Sequence, residues 1–272
     1  GGNDTYHVDA AGDHVFEVAG NGNDAVYATA SYALLSNQSV EVLSTASHGS
    51  TAAINLTGNN LANSIIGNAG ANVLDGRAGA DSMQGLGGDD IYHVDAAADL
   101  VFEAAGAGND AVYANASYTL GFNQSVELLS TTTHGATTAI NLTGNNLANY
   151  LIGNAGANVL NGGAGADTLQ GLGGNDIYHV DAAADLVFEA AGQGVDALYA
   201  SASYVLRAGQ SVETVSTVSH GATTAIDLTG TWTAVISEDW PLRMLTPKKG
   251  DYTRVPLTPA ARKVADAWDP AK

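Results

Sequence analysis

Aspartate and asparagine side chains recur at a constant spacing in two parts of the sequence, because the differences 81−63, 99−81, 167−149 and 185−167 all equal 18. If the chain completes one coil within this spacing, these side chains stack along one edge, about 5 Å apart, which is the spacing of paired strands. Carboxylates at this distance repel one another unless a cation lies between them. Because Ca²⁺ binds six to eight oxygen atoms from carboxylates and backbone carbonyls, the spacing predicts calcium sites along the edges of a coiled chain.

The candidate ligands fall on two opposite edges of the predicted coils. One edge carries two series, which are Asn63, Asp81 and Asp99, and Asn149, Asp167 and Asp185. The opposite edge carries Asn72, Asp90 and, after a slip of two residues, Asp110, with Asn158, Asp176 and Asp196 in the next copy and Asp4 with Asp24 in a truncated one. The predicted sites include the turn glycines Gly76, Gly85, Gly162 and Gly171.

We expect the steps between two aspartates to bind Ca²⁺ better than the steps between an asparagine and an aspartate. The aspartate steps are 81/99, 90/110, 167/185 and 176/196. An asparagine offers an oxygen but one charge fewer, so the mixed steps should be weaker or empty. The alternative is that these residues are ordinary turn formers that bond their own backbone. The regular register of the series favours calcium.

A repeat of 86 residues organises residues 1–230. Residues 1–86 and 87–172 align without a gap, and residues 173–230 form a partial third copy. Each copy contains nonapeptides such as GNAGANVLD (67–75), GRAGADSMQ (76–84) and GGAGADTLQ (162–170). They share a glycine-rich first half, a carboxylate or amide at the sixth position and an apolar residue at the eighth. Such repeats predict stacked units, none of which can bury its apolar face alone.

The nonapeptides resemble the RTX, or haemolysin-type, calcium-binding repeat, whose pattern is G-G-x-G-x-D-x-U-x. Residues 162–170 match nearly every defined position, and the resemblance extends over residues 1–230, most strongly in the glycine-rich stretches. It implies an all-β fold, a parallel β-roll or β-helix solenoid that binds several Ca²⁺ ions in its turns. It also implies export from a Gram-negative bacterium by a type I system, which uses no N-terminal signal.

The elements that must position these residues are short strands joined by tight turns. Glycine permits such turns and lets neighbouring backbones approach closely. Each nonapeptide is predicted to form a turn and a strand with its eighth residue inward, so that two nonapeptides make one coil. Residues 114–143 lack aspartate turns but keep strand-like segments at 117–120, 126–130 and 138–142. We interpret them as calcium-free coils of the same solenoid.

Other side chains recur every 86 residues outside these series. The acidic ones are Asp9, Asp95 and Asp181, and Glu17, Glu103 and Glu189. We expect them on solvated coil edges, with a metal role as the alternative. Equivalent histidines such as His93 and His179 lie nearly five coils apart, more than about 20 Å by the strand spacing, so they cannot share a metal. Recurring phenylalanines and tyrosines are predicted to form core or edge stacks, with a ligand platform as the alternative.

Composition excludes several classes of protein. The chain has 28 acidic and 9 basic residues, and residues 1–230 carry 23 acids against Arg77 and Arg207, a net charge of −21. It therefore lacks the clustered cations that nucleic acid requires. It has no cysteine for a disulfide or thiolate site, and no apolar run reaches the length that a membrane-spanning helix needs. No H-E-x-x-H or G-x-S-x-G motif occurs. The sequence thus offers no candidate catalytic residue, and we expect a non-enzyme.

Residues 231–272 form a second region of different composition. They hold all five prolines, all three tryptophans and seven of the nine basic residues. We predict an irregular segment followed by a helix at 260–268, with Thr258 as its N-cap and Pro259 in its first turn. A terminal cap, a docking segment and a spliced-on segment all remain as interpretations.

The sequence predicts a secreted, non-enzymatic structural or adhesive repeat protein that folds and rigidifies on binding extracellular Ca²⁺. The first alternative is an accessory module of a larger secreted protease, lipase or polysaccharide-modifying enzyme, because the sequence begins inside a nonapeptide. The second is a homo-oligomer or filament assembled end to end through open strand edges. No motif identifies a carbohydrate or protein ligand.

Overall fold

Each nonapeptide folds as a glycine-rich turn followed by a short strand. The computed structural model describes residues 1–17, 20, 22–36, 38–218 and 228–230. Alternate strand residues point into the molecule, and the apolar eighth residues Ile65, Leu74, Met83 and Tyr92 are fully buried. The core is therefore a set of side-chain stacks, as the nonapeptide pattern predicts.

The strands in this part of the chain are short, and their pairs are all parallel. In chain order they are β1 (Thr5–Val8), β2 (Ala25–Ala28), β3 (Tyr32–Ala33), β4 (Val42–Thr45), β5 (Leu56–Thr57), β6 (Ser64–Ile66), β7 (Val73–Asp75), β8 (Ser82–Gln84), β9 (Ile91–Val94), β10 (Leu100–Phe102), β11 (Ala111–Ala114), β12 (Tyr118–Thr119), β13 (Leu128–Thr131), β14 (Leu142–Thr143), β15 (Tyr150–Ile152), β16 (Val159–Asn161), β17 (Thr168–Gln170), β18 (Ile177–Val180), β19 (Leu186–Phe188), β20 (Ala197–Ala200), β21 (Tyr204–Leu206), β22 (Thr214–Thr217) and β23 (Leu228–Gly230). The described residues contain no helix.

These strands form a two-sided solenoid. One face is the sheet β3-β5-β7-β9-β11-β13-β15-β17-β19, which the pair β21-β23 continues. The other face consists of the sheet β1-β2-β4-β6-β8-β10 followed by the sheet β12-β14-β16-β18-β20-β22. From β2 onwards, consecutive strands alternate between the two faces. The predicted all-β, parallel β-roll is confirmed.

One 86-residue repeat contains an odd number of strands. The nine strands β9 to β17 precede β18, which repeats the sequence of β9. Because nine is odd, equivalent residues of successive copies lie on opposite faces, as β9 and β18 do. The expectation of nearly five coils between equivalent histidines was therefore wrong, since the repeat spans four and a half coils.

Coil length is constant only within the nonapeptide clusters. There Ser64 pairs with Ser82, and Ser82 pairs with Leu100 at the same spacing. The coil that follows is longer by two, because Ile91 pairs with Ala111. Elsewhere the coils are both shorter and longer than this, since Ala111 pairs with Leu128 whereas Tyr118 pairs with Leu142. The stretch without aspartate turns continues the solenoid, as predicted.

Aromatic side chains lie both in the core and on the outside. Tyr92 and Tyr178 are fully buried, whereas Phe102 and Phe188 are exposed at the strand ends. His93 stacks on Tyr113 with 5.9 Å between ring centroids. The predicted core position is confirmed for Tyr92 and Tyr178, while the helix predicted at residues 260–268 lies outside the described residues.

Candidate metal centres

The two series predicted on one edge each form a hydrogen-bonded ladder. The prediction that both lie on the same edge was wrong, because Asn63 precedes β6 and Asn149 precedes β15, which belong to opposite faces of the solenoid. The backbone N–H of Asn63 donates to Asp81 Oδ1 at 2.7 Å, and the N–H of Asp81 donates to Asp99 Oδ1 at 3.0 Å. The later copy has the same bonds, from Asn149 to Asp167 at 2.8 Å and from Asp167 to Asp185 at 3.0 Å. Each side chain thus ties its own coil to the backbone of the coil before it.

The second kind of ladder includes the predicted two-residue slip. The N–H of Asn72 donates to Asp90 Oδ1 at 2.7 Å, and that of Asp90 donates to Asp110 Oδ1 at 2.8 Å. Equivalent bonds join Asn158 to Asp176, Asp176 to Asp196, and Asp4 to Asp24. The structure therefore brings every predicted carboxylate and amide into its predicted series.

Each asparagine or aspartate in a ladder is called a rung here. The two kinds of rung differ in whether the second atom of the side-chain head group has a hydrogen-bond partner. The Nδ2 of Asn63 donates to the Val40 carbonyl and that of Asn72 to the Ile54 carbonyl, both at 2.8 Å. The amide oxygens of these two residues also accept backbone N–H groups. By contrast, Asp81 Oδ2 and Asp90 Oδ2 are buried without a hydrogen-bond partner. An asparagine rung is closed by its own amide, whereas these aspartates leave an anionic oxygen free for a ligand.

The turn glycines lie directly against these free oxygens. A Cβ atom on Gly76 would lie 2.4 Å from Asp81 Oδ2, and one on Gly85 would lie 2.0 Å from Asp90 Oδ2. The equivalent distances are 2.3 Å at Gly162 and 2.1 Å at Gly171. Glycine at these four positions therefore keeps the space around the carboxylate clear.

The aspartate steps are not equivalent, because their second carboxylates differ. Asp99 Oδ2 accepts the backbone N–H groups of Asp95 and Ala96, both at 3.1 Å, so neither of its oxygens is free. Asp185 is capped in the same way. In contrast, Asp110 Oδ2 is buried without a partner. The 90/110 step thus presents two free oxygens, whereas the 81/99 step presents one.

Two sets of glutamates belong to these ladders although sequence reasoning did not place them there. The N–H groups of Asp24, Asp110 and Asp196 donate to the carboxylates of Glu41, Glu127 and Glu213 respectively, at 2.7 to 2.8 Å. The 86-residue recurrence of these three glutamates was the available signal.

The second set comprises Glu103 and Glu189, which were expected on solvated coil edges. Glu103 and Glu189 are only 4% and 2% exposed, so the expectation of a solvated edge was wrong for them. Asp9, Asp95 and Asp181 are exposed, as expected. The glutamates are buried because each follows a strand at the position that glycine occupies one coil earlier, and points into the ladder.

The ladder carboxyls are buried without compensating positive charge. Burial raises the pKa of Asp81 to about 6 and those of Asp90 and Asp110 to about 7, and neighbouring carboxylates contribute to each rise. Burial likewise raises the pKa of Asp167 and Asp176 to about 6. Across the described residues, no ion pair involves these buried carboxylates. The donor set of this arrangement fits a hard cation with oxygen ligands.

Two segments match the family model of the RTX calcium-binding nonapeptide repeat, in four copies at residues 57–99 and 143–186. No curated protein matches the sequence. In the described part of the chain, no helix is long and apolar enough to cross a membrane. The matched segments are those in which the two ladders run side by side. This chain therefore carries RTX calcium-binding nonapeptide repeats on a parallel β-solenoid.

Proposed function

We propose that Ca²⁺ drives the folding of this solenoid and that the folded chain has a structural or adhesive role outside the cell. The observation that carries this proposal is the set of buried carboxylate oxygens without a hydrogen-bond partner in the ladders, on Asp81, Asp90, Asp110, Asp167 and Asp176. An anionic oxygen buried without a partner is costly. Calcium coordination by these oxygens removes that cost, so metal binding and folding are coupled.

The ladders rank the proposed sites. The steps 90/110 and 176/196 should bind Ca²⁺ most tightly, because affinity rises with the number of charged ligands. The steps 81/99 and 167/185 should have the next highest affinity, since both carboxylate oxygens of Asp99 and of Asp185 already accept backbone N–H groups. The asparagine steps should stay empty. The remaining oxygens of each site come from turn carbonyls and water.

The proposed extracellular location is supported by the calcium concentration at which such metal sites fill. The resemblance to the RTX family implies export from the cell. Extracellular calcium modules bind with dissociation constants of about 0.1 to 1 mM, which matches extracellular rather than cytosolic calcium. A chain with a net charge of −21 over residues 1–230 should remain unfolded where calcium is scarce and fold after export.

The folding proposal is tested by circular dichroism of the whole chain in EGTA and in millimolar Ca²⁺. We expect β-sheet signal to appear with calcium and to be lost again on chelation. Magnesium at the same concentration is the control, because Mg²⁺ requires a smaller, octahedral site and gives up its water reluctantly. Equal β-sheet signal in EGTA and calcium would contradict the proposal.

Assembly from end to end would give the structural role a mechanism. Among the strands that the structure describes, β1 lies at the end of its sheet and pairs with β2 alone. A parallel strand with a free edge is a template for strand addition. Light scattering against calcium concentration tests this part of the proposal, and a monomer at every concentration would rule out assembly.

A further inference from the structure

Glu103 occupies a turn position that is glycine in the preceding coil. Phe102 pairs with Gln84, so Glu103 follows β10 as Gly85 follows β8. At Gly85 a Cβ atom would collide with both Asp90 Oδ2 and the Tyr92 hydroxyl. The coil that contains Glu103 is longer by two than its neighbours in the cluster. The longer turn therefore accommodates a side chain at a position where the nonapeptide tolerates none.

The Glu103 carboxylate completes a compact acidic group. Asp90, Glu103 and Asp110 each place a carboxylate oxygen within 4.8 Å of the others. All three residues are at least nine-tenths buried, and Asp90 Oδ2 and Asp110 Oδ2 have no hydrogen-bond partner. Two oxygens bound to one Ca²⁺ at 2.3–2.6 Å are separated by at most about 5 Å. The three side chains are thus close enough to share one ion.

A tyrosine from the core fixes the orientation of the glutamate. The Tyr92 hydroxyl accepts the N–H of Gly85 at 2.7 Å and donates to Glu103 Oε2. Asp90 Oδ2 lies in the same turn, since a Cβ atom on Gly85 would lie 2.0 Å from it and 2.5 Å from the Tyr92 hydroxyl. The hydroxyl therefore holds the glutamate beside the free aspartate oxygen, which is the role of an outer ligand in a metal site.

The next copy repeats the arrangement. Asp176, Glu189 and Asp196 form the same buried group, and Tyr178 bonds Gly171 and Glu189. Here Asp176 Oδ2 and Glu189 Oε1 are the buried oxygens without a partner. In the first copy, Tyr6 donates to Glu17 at 2.5 Å, but Asp4 is half exposed. The first copy thus has the same groups in a more open setting.

We propose that each of these two lengthened coils holds a three-carboxylate Ca²⁺ site in which a glutamate, oriented by a core tyrosine, replaces the turn glycine of the nonapeptide. The ligands are Asp90, Glu103 and Asp110 in one coil, and Asp176, Glu189 and Asp196 in the other. These sites carry one formal charge more than any aspartate pair in the ladders, so they fill first on titration with calcium.

This inference rests on the proposed function, and calorimetric titration with Ca²⁺ tests it on the whole chain. The test variant is Glu103→Gln with Glu189→Gln, which should lose the tightest phase of binding, because the aspartate pairs that remain carry one charge fewer at each site. The control is Asp89→Asn, which removes one exposed charge from the same turn. Position 175 of the next copy is already asparagine and accepts the same backbone bond, so the control should keep the tightest phase.

A second pair of substitutions keeps the test decisive if the glutamine variant fails to fold. Glu103→Asp with Glu189→Asp keeps the charge but shortens the reach by one methylene, and we expect the wild-type number of ions with the tightest phase weakened about tenfold or more. An unchanged affinity in the glutamine variant, or in the aspartate variant, would overturn this inference alone. A wild-type chain that binds no calcium would instead overturn the proposed function.

Discussion

At the scale of single residues, the difference between aspartate and asparagine decides which rungs need a metal. The two residues stack alike, and both accept a backbone N–H from the coil before or from their own turn. The difference lies in the second atom of the head group. In Asn63 it is an amide that donates to Val40, whereas in Asp81 it is an oxygen buried without a partner. One atom thus separates a closed rung from an open one.

Replacing Asp81 and Asp167 by asparagine should therefore make their coils independent of calcium. An amide at these positions can donate as Asn63 and Asn149 do. We expect more β-sheet signal in EGTA and higher stability there, by about 1–3 kcal/mol for each buried charge removed. Urea unfolding followed by circular dichroism measures both quantities, and calorimetry should show fewer bound ions.

The control for this substitution is Asp95→Asn, which removes an exposed charge of the same coil. It should leave the calcium dependence of folding unchanged. If Asp95→Asn raised the stability in EGTA as much as Asp81→Asn, relief of general repulsion would explain the effect, and the open rung would not.

The raised pKa values predict how pH acts on the calcium-free chain. The pKa values of Asp81 and Asp90 are about 6 and about 7 in the fold, above the value of about 4 expected in the unfolded chain. Protonation then favours the folded state, fully below about pH 4, and this stabilisation is lost as pH rises through 6 to 7. We expect the β-sheet signal of the chain in EGTA to be strongest near pH 4 to 5 and to be lost as the pH rises to 8, measured by circular dichroism. With calcium present the trend should reverse, because protons compete for the same oxygens.

At the scale of elements, the sequence predicted most of the nonapeptide clusters and little of the coils between them. Within a cluster, glycine, a ladder residue and an inward apolar residue recur at a fixed spacing, so turn, ladder and core follow from the pattern. Between clusters the register changes from coil to coil, and no residue type marks the change. For this reason the burial of Glu103 was missed. Its environment depends on a lengthened turn, which is visible only once the strands are paired.

The effect of replacing a turn glycine by alanine on calcium binding and stability should depend on whether the new Cβ atom meets a ladder carboxylate. Gly76→Ala and Gly162→Ala place a methyl group 2.4 and 2.3 Å from the free oxygens of Asp81 and Asp167. We expect weaker calcium binding at these steps and a loss of about 1–3 kcal/mol in the calcium-bound state from overpacking. Gly49→Ala and Gly135→Ala are the matched controls, because a Cβ atom there meets nothing within 4 Å. Calcium titration and urea unfolding of the four variants separate the two groups, and equal losses in both would contradict this account of the turns.

At the scale of the whole molecule, residues 1–230 are anionic because cations that would pair with the ladders internally are almost absent. They carry only Arg77 and Arg207 against 23 acids. The acids fall into two populations. Some are exposed, such as Asp89 and Asp95, and repel one another through solvent, whereas others, such as Asp90 and Asp110, are buried with free oxygens. Salt and calcium should act on these populations differently.

Sodium chloride should therefore restore only part of the fold that calcium restores. At about 1 M salt the Debye length is about 3 Å, so repulsion between exposed carboxylates is largely screened. Screening does not supply ligands to the buried oxygens, whose cost comes from loss of water rather than from long-range repulsion. We expect partial compaction in about 1 M NaCl with EGTA, measured by small-angle scattering, without the β-sheet signal that millimolar calcium produces. Substituting Asp81, Asp90, Asp110, Asp167 and Asp176 together by asparagine should remove this difference, because every aspartate oxygen that is buried without a partner is then replaced. If salt alone gave the wild-type chain its full β-sheet content, diffuse charge repulsion would suffice to explain its dependence on calcium.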